Sequence, residues 1–241
     1  MINKNVFIGY FKIKKDDELK FDSKVSPVFL NNKFNNEIID IKDILTSEEV
    51  CTLIHLQNKN KKIPVGVCGI AKNYLLGDEI HSYRSTIYSE YIAKCIFERI
   101  KDNLQSIASP YEESSDLFKP IGVNPAFRFI DYNVGGHLVP HYDFPYKKDN
   151  DNLTLLSLVI YLTDSLSGNT RYIKEYREND FTDWDRQPLP SEVLFEVKPK
   201  SGHGLLFPHN ILHDSETVLK KKIILRTDIL FQRISEWIYS I

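Results

Sequence analysis

His141, Tyr142 and Asp143 are consecutive, and a third ligand-type side chain, His213, lies far downstream. In an extended strand successive side chains alternate sides, so His141 and Asp143 project together while Tyr142 turns away. Joined by His213 from a distant strand, they would form a two-histidine, one-carboxylate face on a divalent metal, with three positions left for ligands that come and go. Open positions mean catalysis. A structural zinc site closes its shell with four protein ligands, and Cys51, Cys68 and Cys95 show no metal-ligand spacing; they read as buried, reduced residues.

A lone His-x-Asp arises by chance in many chains of this size, so the surroundings decide. Upstream lies a strand-like run, Phe127-Arg128-Phe129-Ile130-Asp131-Tyr132, then a turn at Asn133-Val134-Gly135-Gly136, then His137-Leu138-Val139-Pro140 leading into His141. The whole stretch from Tyr132 to Asp143 closely resembles the Tyr-x-x-Gly-Gly-x-x-x-Pro-His-x-Asp signature of prolyl 4-hydroxylase-like 2-oxoglutarate- and Fe(II)-dependent dioxygenases. Leu205-Leu206-Phe207-Pro208-His209, followed by His213-Asp214, and the run Ile223 to Phe231 look like the distal half of that domain.

The resemblance covers about residues 122–234 and implies a mainly β fold with flanking α-helices. Its core would be a double-stranded β-helix, a jelly-roll or cupin-like barrel holding the metal near its open end. It also implies Fe(II) on His141, Asp143 and His213, 2-oxoglutarate as cosubstrate, O2, and ascorbate as a stimulant. Three features depart from or refine the pattern. Gly168-Asn169-Thr170 stands where relatives often have Gly-Gly-x-Thr, Lys220 replaces a usual glycine, and the intact Asp143 argues against the halogenase variants in which a small residue makes room for chloride.

A 2-oxoglutarate bound to the metal through its keto end needs a buried cation for its far carboxylate. Two residues qualify. Arg226 lies inside an apolar run, where an unpaired charge would be costly, and Lys222 matches the family's basic column after the distal histidine. Four residues apart on a strand, they face the same side. Burial places Arg226 slightly ahead, with a structural pairing to an acidic neighbour as its other reading. Tyr132 is a candidate hydroxyl donor to the cosubstrate or else an aromatic core residue. Ser157 and Thr170 are candidates to complete the anchor, and Arg128, Arg171, Arg84 and His137 are candidates for substrate contact. His209 is a candidate for supporting the ligands from behind.

The elements that must position these residues fall into two halves. Residues 122–234 hold short apolar, β-branched runs at 125–132, 153–163, 170–174, 193–198, 204–207 and 222–231. Residues 1–121 hold a strand-like run at 6–13 and two helices expected to buttress the barrel. Thr46 with Glu49 has the capping-box form ahead of Val50, Leu53, Ile54 and Leu56, and residues 89–104 place Ile92, Ile96, Phe97 and Ile100 on one face. The polar stretch 175–191 reads as a long loop of the kind that forms lids.

The 241 residues carry a net charge of −2, with no Gly/Ser-rich or Pro-rich connector, no internal repeat and no apolar run of membrane-spanning length. One domain over 1–241, cytoplasmic and free of membrane or nucleic-acid partners, is the expectation; the runs Lys220-Lys221-Lys222 and Lys59 to Lys62 read as solvated faces. The expected activity is hydroxylation of an unactivated carbon of a free amino acid or an amino-acid-derived small molecule, with succinate and CO2 as coproducts. Two alternatives stand beside it: a peptidyl-prolyl 4-hydroxylase acting on a protein or peptide, and a non-catalytic metal- or ligand-binding β-barrel.

Overall fold

The computed structural model describes residues 11–12, 20–22, 24–31, 38–65, 81–108, 116–176 and 186–234. Strands β1 (Phe11–Lys12), β2 (Val28–Asn31) and β3 (Ile39–Lys42) precede helix α1 (Ser47–Lys59), and β4 (Ile63–Val65) and β5 (Ser82–Tyr88) precede helix α2 (Glu90–Ile100). Then come β6 (Ile107–Ala108), β7 (Leu117–Val123), β8 (Ala126–Tyr132), β9 (Leu138–His141) and β10 (Asn152–Tyr161). The last strands are β11 (Thr170–Ile173), β12 (Val193–Val197), β13 (Gly204–Pro208), β14 (His213–Ser215) and β15 (Lys222–Ile234).

They form two sheets. The major sheet runs β1-β5-β8-β15-β10-β13-β3-β2, with β4 on β5 and β7 on β15; the minor sheet runs β12-β11-β14-β9. β15 is long enough to take two partners in succession, β8 beside Lys222 to Arg226 and β7 beside Ile229 to Ile234.

Alternation along β15 separates two interiors. Ile223, Leu225, Ile229 and Phe231 pack in one cluster with Leu53 of α1 and Ile92 and Ile96 of α2. Ile224, on the other face, packs between the sheets with Tyr132, Val159, Tyr161, Tyr172 and Phe207. The helices therefore brace the back of the major sheet, and the second cluster fills the space in which the site lies. A fully buried isoleucine such as Ile92 or Ile96 contributes about 1.5–3 kcal/mol through the water it leaves.

Both helices start as their sequences dictate. Thr46 Oγ1 accepts the Glu49 N–H at 3.2 Å and Glu49 Oε2 accepts the Thr46 N–H at 2.9 Å, a closed capping box. Ser89 Oγ accepts the Ile92 N–H at 3.1 Å to start α2. That helix ends at Ile100, earlier than the expected 104, and continues as a tighter turn over Lys101–Asn103. Arg99 of α2 forks onto Glu49 of α1 at 2.6 and 2.9 Å and also donates to the Ile44 carbonyl at 2.7 Å, so one buried ion pair joins the two helices.

The six apolar runs of the C-terminal half appear as strands within three residues of their expected ends. β5 and β7 were outside that set. β5 reads Ser-Tyr-Arg-Ser-Thr-Ile-Tyr, with polar residues alternating on one side, and that polar side is the floor of a cleft rather than a core face. The cysteine expectation is corrected in part: Cys51 is exposed and Cys95 half-buried, both free, and Cys68 lies outside the described residues. Most of the strand-like run at 6–13 and residues 177–185 of the expected lid also lie outside them. Among the described residues no helix is long and apolar enough to cross a membrane.

Candidate metal centre and its surroundings

β9 and β14 pair so that His213 stands opposite His141, which puts both rings on one face of the minor sheet with centroids 4.3 Å apart. Asp143 follows the end of β9, where its N–H donates to the His209 carbonyl at 3.0 Å. Its carboxylate then reaches between the rings: Oδ1 lies 3.8 Å from His141 Nε2 and Oδ2 3.7 Å from His213 Nε2. Ligand atoms of all three residues lie within 4.8 Å of one another, the arrangement of groups that share one cation.

Each imidazole is held by the same device. His141 Nδ1 lies 2.9 Å from the Val139 carbonyl and His213 Nδ1 lies 2.9 Å from the Ile211 carbonyl. A carbonyl only accepts, so each Nδ1 keeps the proton and each Nε2 presents its lone pair to the common point. Burial, aided by the neighbouring His213, pushes His141 down to about 3, and burial lowers His213 as well. Burial alone would raise Asp143, but His213, Arg226 and His141 together hold it well below the usual carboxylate range. Two neutral imidazoles and one ionised carboxylate are the ligating forms, and the donor set fits Fe(II) with open positions.

The two candidate cations diverge. Lys222 is 1% exposed, and its Nζ donates to the Gly168 carbonyl and to Ser215 Oγ, both at 2.6 Å. It lies 4.5 Å from the centre of the Tyr132 ring, and among the described residues no carboxylate reaches ion-pair distance of it. Burial pushes it down to about 7, with Asp214 and Glu216 opposing. Gly168 makes room at φ +73°, since a Cβ there would meet Val218 at 2.7 Å and Lys222 Nζ at 3.3 Å. Arg226 instead donates from Nη2 to Asp143 Oδ1 at 2.7 Å and lies 3.4 Å from Asp228 Oδ1. The ordering expected from burial, Arg226 ahead of Lys222, is thus not the one the contacts favour: Arg226 already has its anions.

The remaining candidates separate by face. Tyr132 is buried beside Lys222 and bonded to Ser215, and burial raises its hydroxyl pKa. Thr170 Oγ1 accepts from the Tyr161 hydroxyl at 2.7 Å, while Ser157 donates to Asp143 Oδ2, so Ser157 supports the metal carboxylate rather than the anchor. Arg171 is corrected. Tyr172 faces inward opposite His213, so alternation turns Arg171 outward, where it forks onto Asp214 at 2.9 and 2.5 Å. His137 lies with Nδ1 3.2 Å from the Gly135 carbonyl. His209 Nε2 is 3.5 Å from Asp228 Oδ1, one residue removed from both Arg226 and Arg128.

A cleft of about 1360 Å³ is lined by parts of β5, β8 and β15, by residues 121–125 and by Glu90, Lys94 and Phe97 of α2; His141, Asp143, His213, Lys222 and Arg226 do not line it. Arg84, Thr86 and Arg128 form part of its floor and Phe144 and Tyr146 part of its rim; His137 and Arg171 do not line it. The register places Thr86 beside Arg128 and Arg128 beside Arg226, so the cleft-lining residues are strand neighbours of the residue that grips Asp143. Ser215, Asp228 and, on the cleft floor, Thr86 were missed in the sequence, whereas Arg84 and Arg128 were among its candidates. Ser215 had a signal, since it stands two residues after His213 and shares its face; Asp228 had the same relation to Arg226.

Residues 127–229 match the family model described as the 2OG-Fe(II) oxygenase superfamily. Among solved structures, a 2OG-Fe(II) oxygenase family oxidoreductase from Burkholderia pseudomallei aligns with TM-score 0.50 at 13% identity, over 81% of this chain and 85% of that one. A prolyl hydroxylase from Trichoplax adhaerens, in complex with a hypoxia inducible factor peptide fragment, aligns with TM-score 0.50 at 14% identity, over 80% and 83%. A viral collagen prolyl hydroxylase from Paramecium Bursaria Chlorella virus-1 aligns with TM-score 0.46 at 16% identity, over 81% and 96%. No curated protein matches the sequence. The shared fold is the double-stranded β-helix.

Proposed function

We propose that this chain, whose residues 127–229 match the 2OG-Fe(II) oxygenase superfamily model, is a 2-oxoglutarate-dependent non-haem iron oxygenase that hydroxylates an unactivated carbon of a free amino acid or an amino-acid-derived small molecule. His141, Asp143 and His213 would hold Fe(II), and Lys222 would receive the far carboxylate of 2-oxoglutarate. The observation that carries the cosubstrate assignment is the buried Lys222 ammonium with neutral oxygen partners and no counter-anion among the described residues. A buried cation without an anion is costly, and a bound dicarboxylate removes that cost.

When bound, Fe(II) with 2-oxoglutarate supplies O2 activation coupled to decarboxylation, giving succinate and CO2. The chain's part is placement. The Val139 and Ile211 carbonyls fix the ring tautomers, Lys222 and Tyr132 would bound the inner end of the cosubstrate, and Tyr172 and Phe207 pack beside His213. Arg84 and Arg128 line the cleft, Arg128 with its guanidinium already on Asp228 at 2.7 Å, and no separate general base is needed.

The exposed aromatic side chains of Phe144 and Tyr146, which follow Asp143 along the chain, favour a second reading: such a surface suits an extended chain, so a peptidyl-prolyl substrate is the alternative. Incubation of the Fe(II)-loaded protein with a free amino-acid panel and with proline-rich peptides, read by mass spectrometry, separates the two. A gain of one oxygen on a free amino acid supports the first reading; the same gain confined to peptides replaces it with the second.

A further inference from the structure

Asp143 differs from the other two ligands in how it is held. His141 and His213 are paired within the minor sheet, whereas the Asp143 carboxylate is fastened across the barrel to the major sheet. Oδ1 accepts from Arg226 Nη2 of β15 at 2.7 Å, and Oδ2 accepts from Ser157 Oγ of β10. The two donors come from adjacent strands, with Arg226 opposite Val159 and Ser157 opposite Asp228. Asp228 holds Arg226 from behind at 3.4 Å and takes Arg128 at 2.7 Å, so charges alternate from the metal carboxylate to the cleft floor: Asp143, Arg226, Asp228, Arg128.

We propose that Arg226 is a positioning residue that sets the direction in which Asp143 offers its carboxylate to the metal, with Ser157 as the second hold and Asp228 keeping the guanidinium in place. This rests on the reading of the three ligands as a metal centre. One donor on each oxygen stops rotation of the carboxylate and leaves each oxygen a lone pair for the ion. With Arg226 gone, Asp143 and Asp228 lose the cation between them and the carboxylate turns. Groups that orient a ligand in this way typically change metal affinity or activity about 10- to 100-fold.

Metal affinity alone would be a poor test, because losing a guanidinium also removes its repulsion of the incoming cation. The direct readout is the visible spectrum of the Co(II)-substituted protein, which reports ligand geometry. Arg226→Met is expected to change the Co(II) bands and lower kcat about 10- to 100-fold, while the KM for 2-oxoglutarate stays within about twofold. Arg226→Lys, which keeps the charge, is expected to restore the bands in part, and Ser157→Ala to shift them less in the same direction.

Unaltered Co(II) bands in Arg226→Met overturn the proposal, as does a large rise in the KM for 2-oxoglutarate with the bands unchanged, which would make Arg226 the cosubstrate anchor. If Arg226→Met does not fold, Ser157→Ala decides: shifted bands support the carboxylate hold and unchanged bands overturn it. A wild-type protein that binds no Co(II) would overturn the metal centre itself, a result distinct from either.

Discussion

Lys222 and Arg226 leave the same face of one strand four residues apart, yet one is surrounded by neutral oxygens and the other by carboxylates. Arg99, far from the site, supplies a third buried cation, fully matched by Glu49 and backbone carbonyls. The difference shows what burial of a charge can mean. Where the counter-charge is built into the chain, the cation is structural, as Arg99 is, or holds another side chain, as Arg226 does. Where it is missing, as at Lys222, the cation is the one whose burial a dicarboxylate from outside would offset, the role proposed for it.

The comparison breaks first at Asp143. Asp143→Ala removes a metal ligand and half of what holds Arg226, and His141→Ala removes a ligand while leaving Arg226 paired. Succinate production should fall to background in both while the circular dichroism spectrum persists; undiminished turnover in both variants would end the metal assignment. Next comes Lys222→Met, which should raise the KM for 2-oxoglutarate about 100-fold, on the order of the 2–4 kcal/mol of a lost charge-assisted contact, and leave the Co(II) spectrum intact.

A pH profile sharpens the same point. Because Lys222 in the cosubstrate-free protein titrates near 7, it is protonated below that value and must take up a proton to meet a dicarboxylate above it. Affinity for 2-oxoglutarate should therefore be greatest below about 7 and weaken up to tenfold per pH unit above it. Lys222→Arg, which stays protonated, should flatten the profile. A profile unchanged by this substitution would assign the ionisation elsewhere.

The matched pair provides the contrast in stability rather than activity. Glu49→Gln leaves Arg99 buried without its carboxylate and should cost about 3–5 kcal/mol, read by urea denaturation, with no change in the KM for 2-oxoglutarate. Burial tends to raise Glu49, but Arg99 and the Thr46 and Asp22 N–H groups hold it below its ordinary 4.5. The pair's stabilisation is therefore present above pH 4.5 and lost as the pH falls through the lower folded value. The smallest effect is expected from Thr46→Ala, about 1 kcal/mol for the lost cap of α1.

The juxtaposition of His141 and Asp143 in the candidate metal face was legible because a two-residue strand period needs no knowledge of tertiary structure: the two share a side wherever the strand lies, and the surrounding glycines and proline mark the motif. The same period could not choose between Lys222 and Arg226, because it put both on one face; only the arrival of Asp143 and Ser157 beside one and Ser215 beside the other distinguishes them. Arg171 was misplaced because its direction depends on the pairing of Tyr172 with His213, a register between strands far apart in sequence. β5 escaped notice because its inward side chains, Arg84 and Thr86, line a cleft and so lack the apolar alternation that marks a strand.

The most direct test of the account is an anaerobic titration of the apoprotein with Fe(II) and then 2-oxoglutarate, followed by visible absorption, with His213→Ala alongside. A weak charge-transfer band should appear only after both additions and only in the unmutated protein. Stoichiometric iron binding with no band on adding the keto acid would contradict the cosubstrate assignment and return the chain to a metal-binding barrel of another kind.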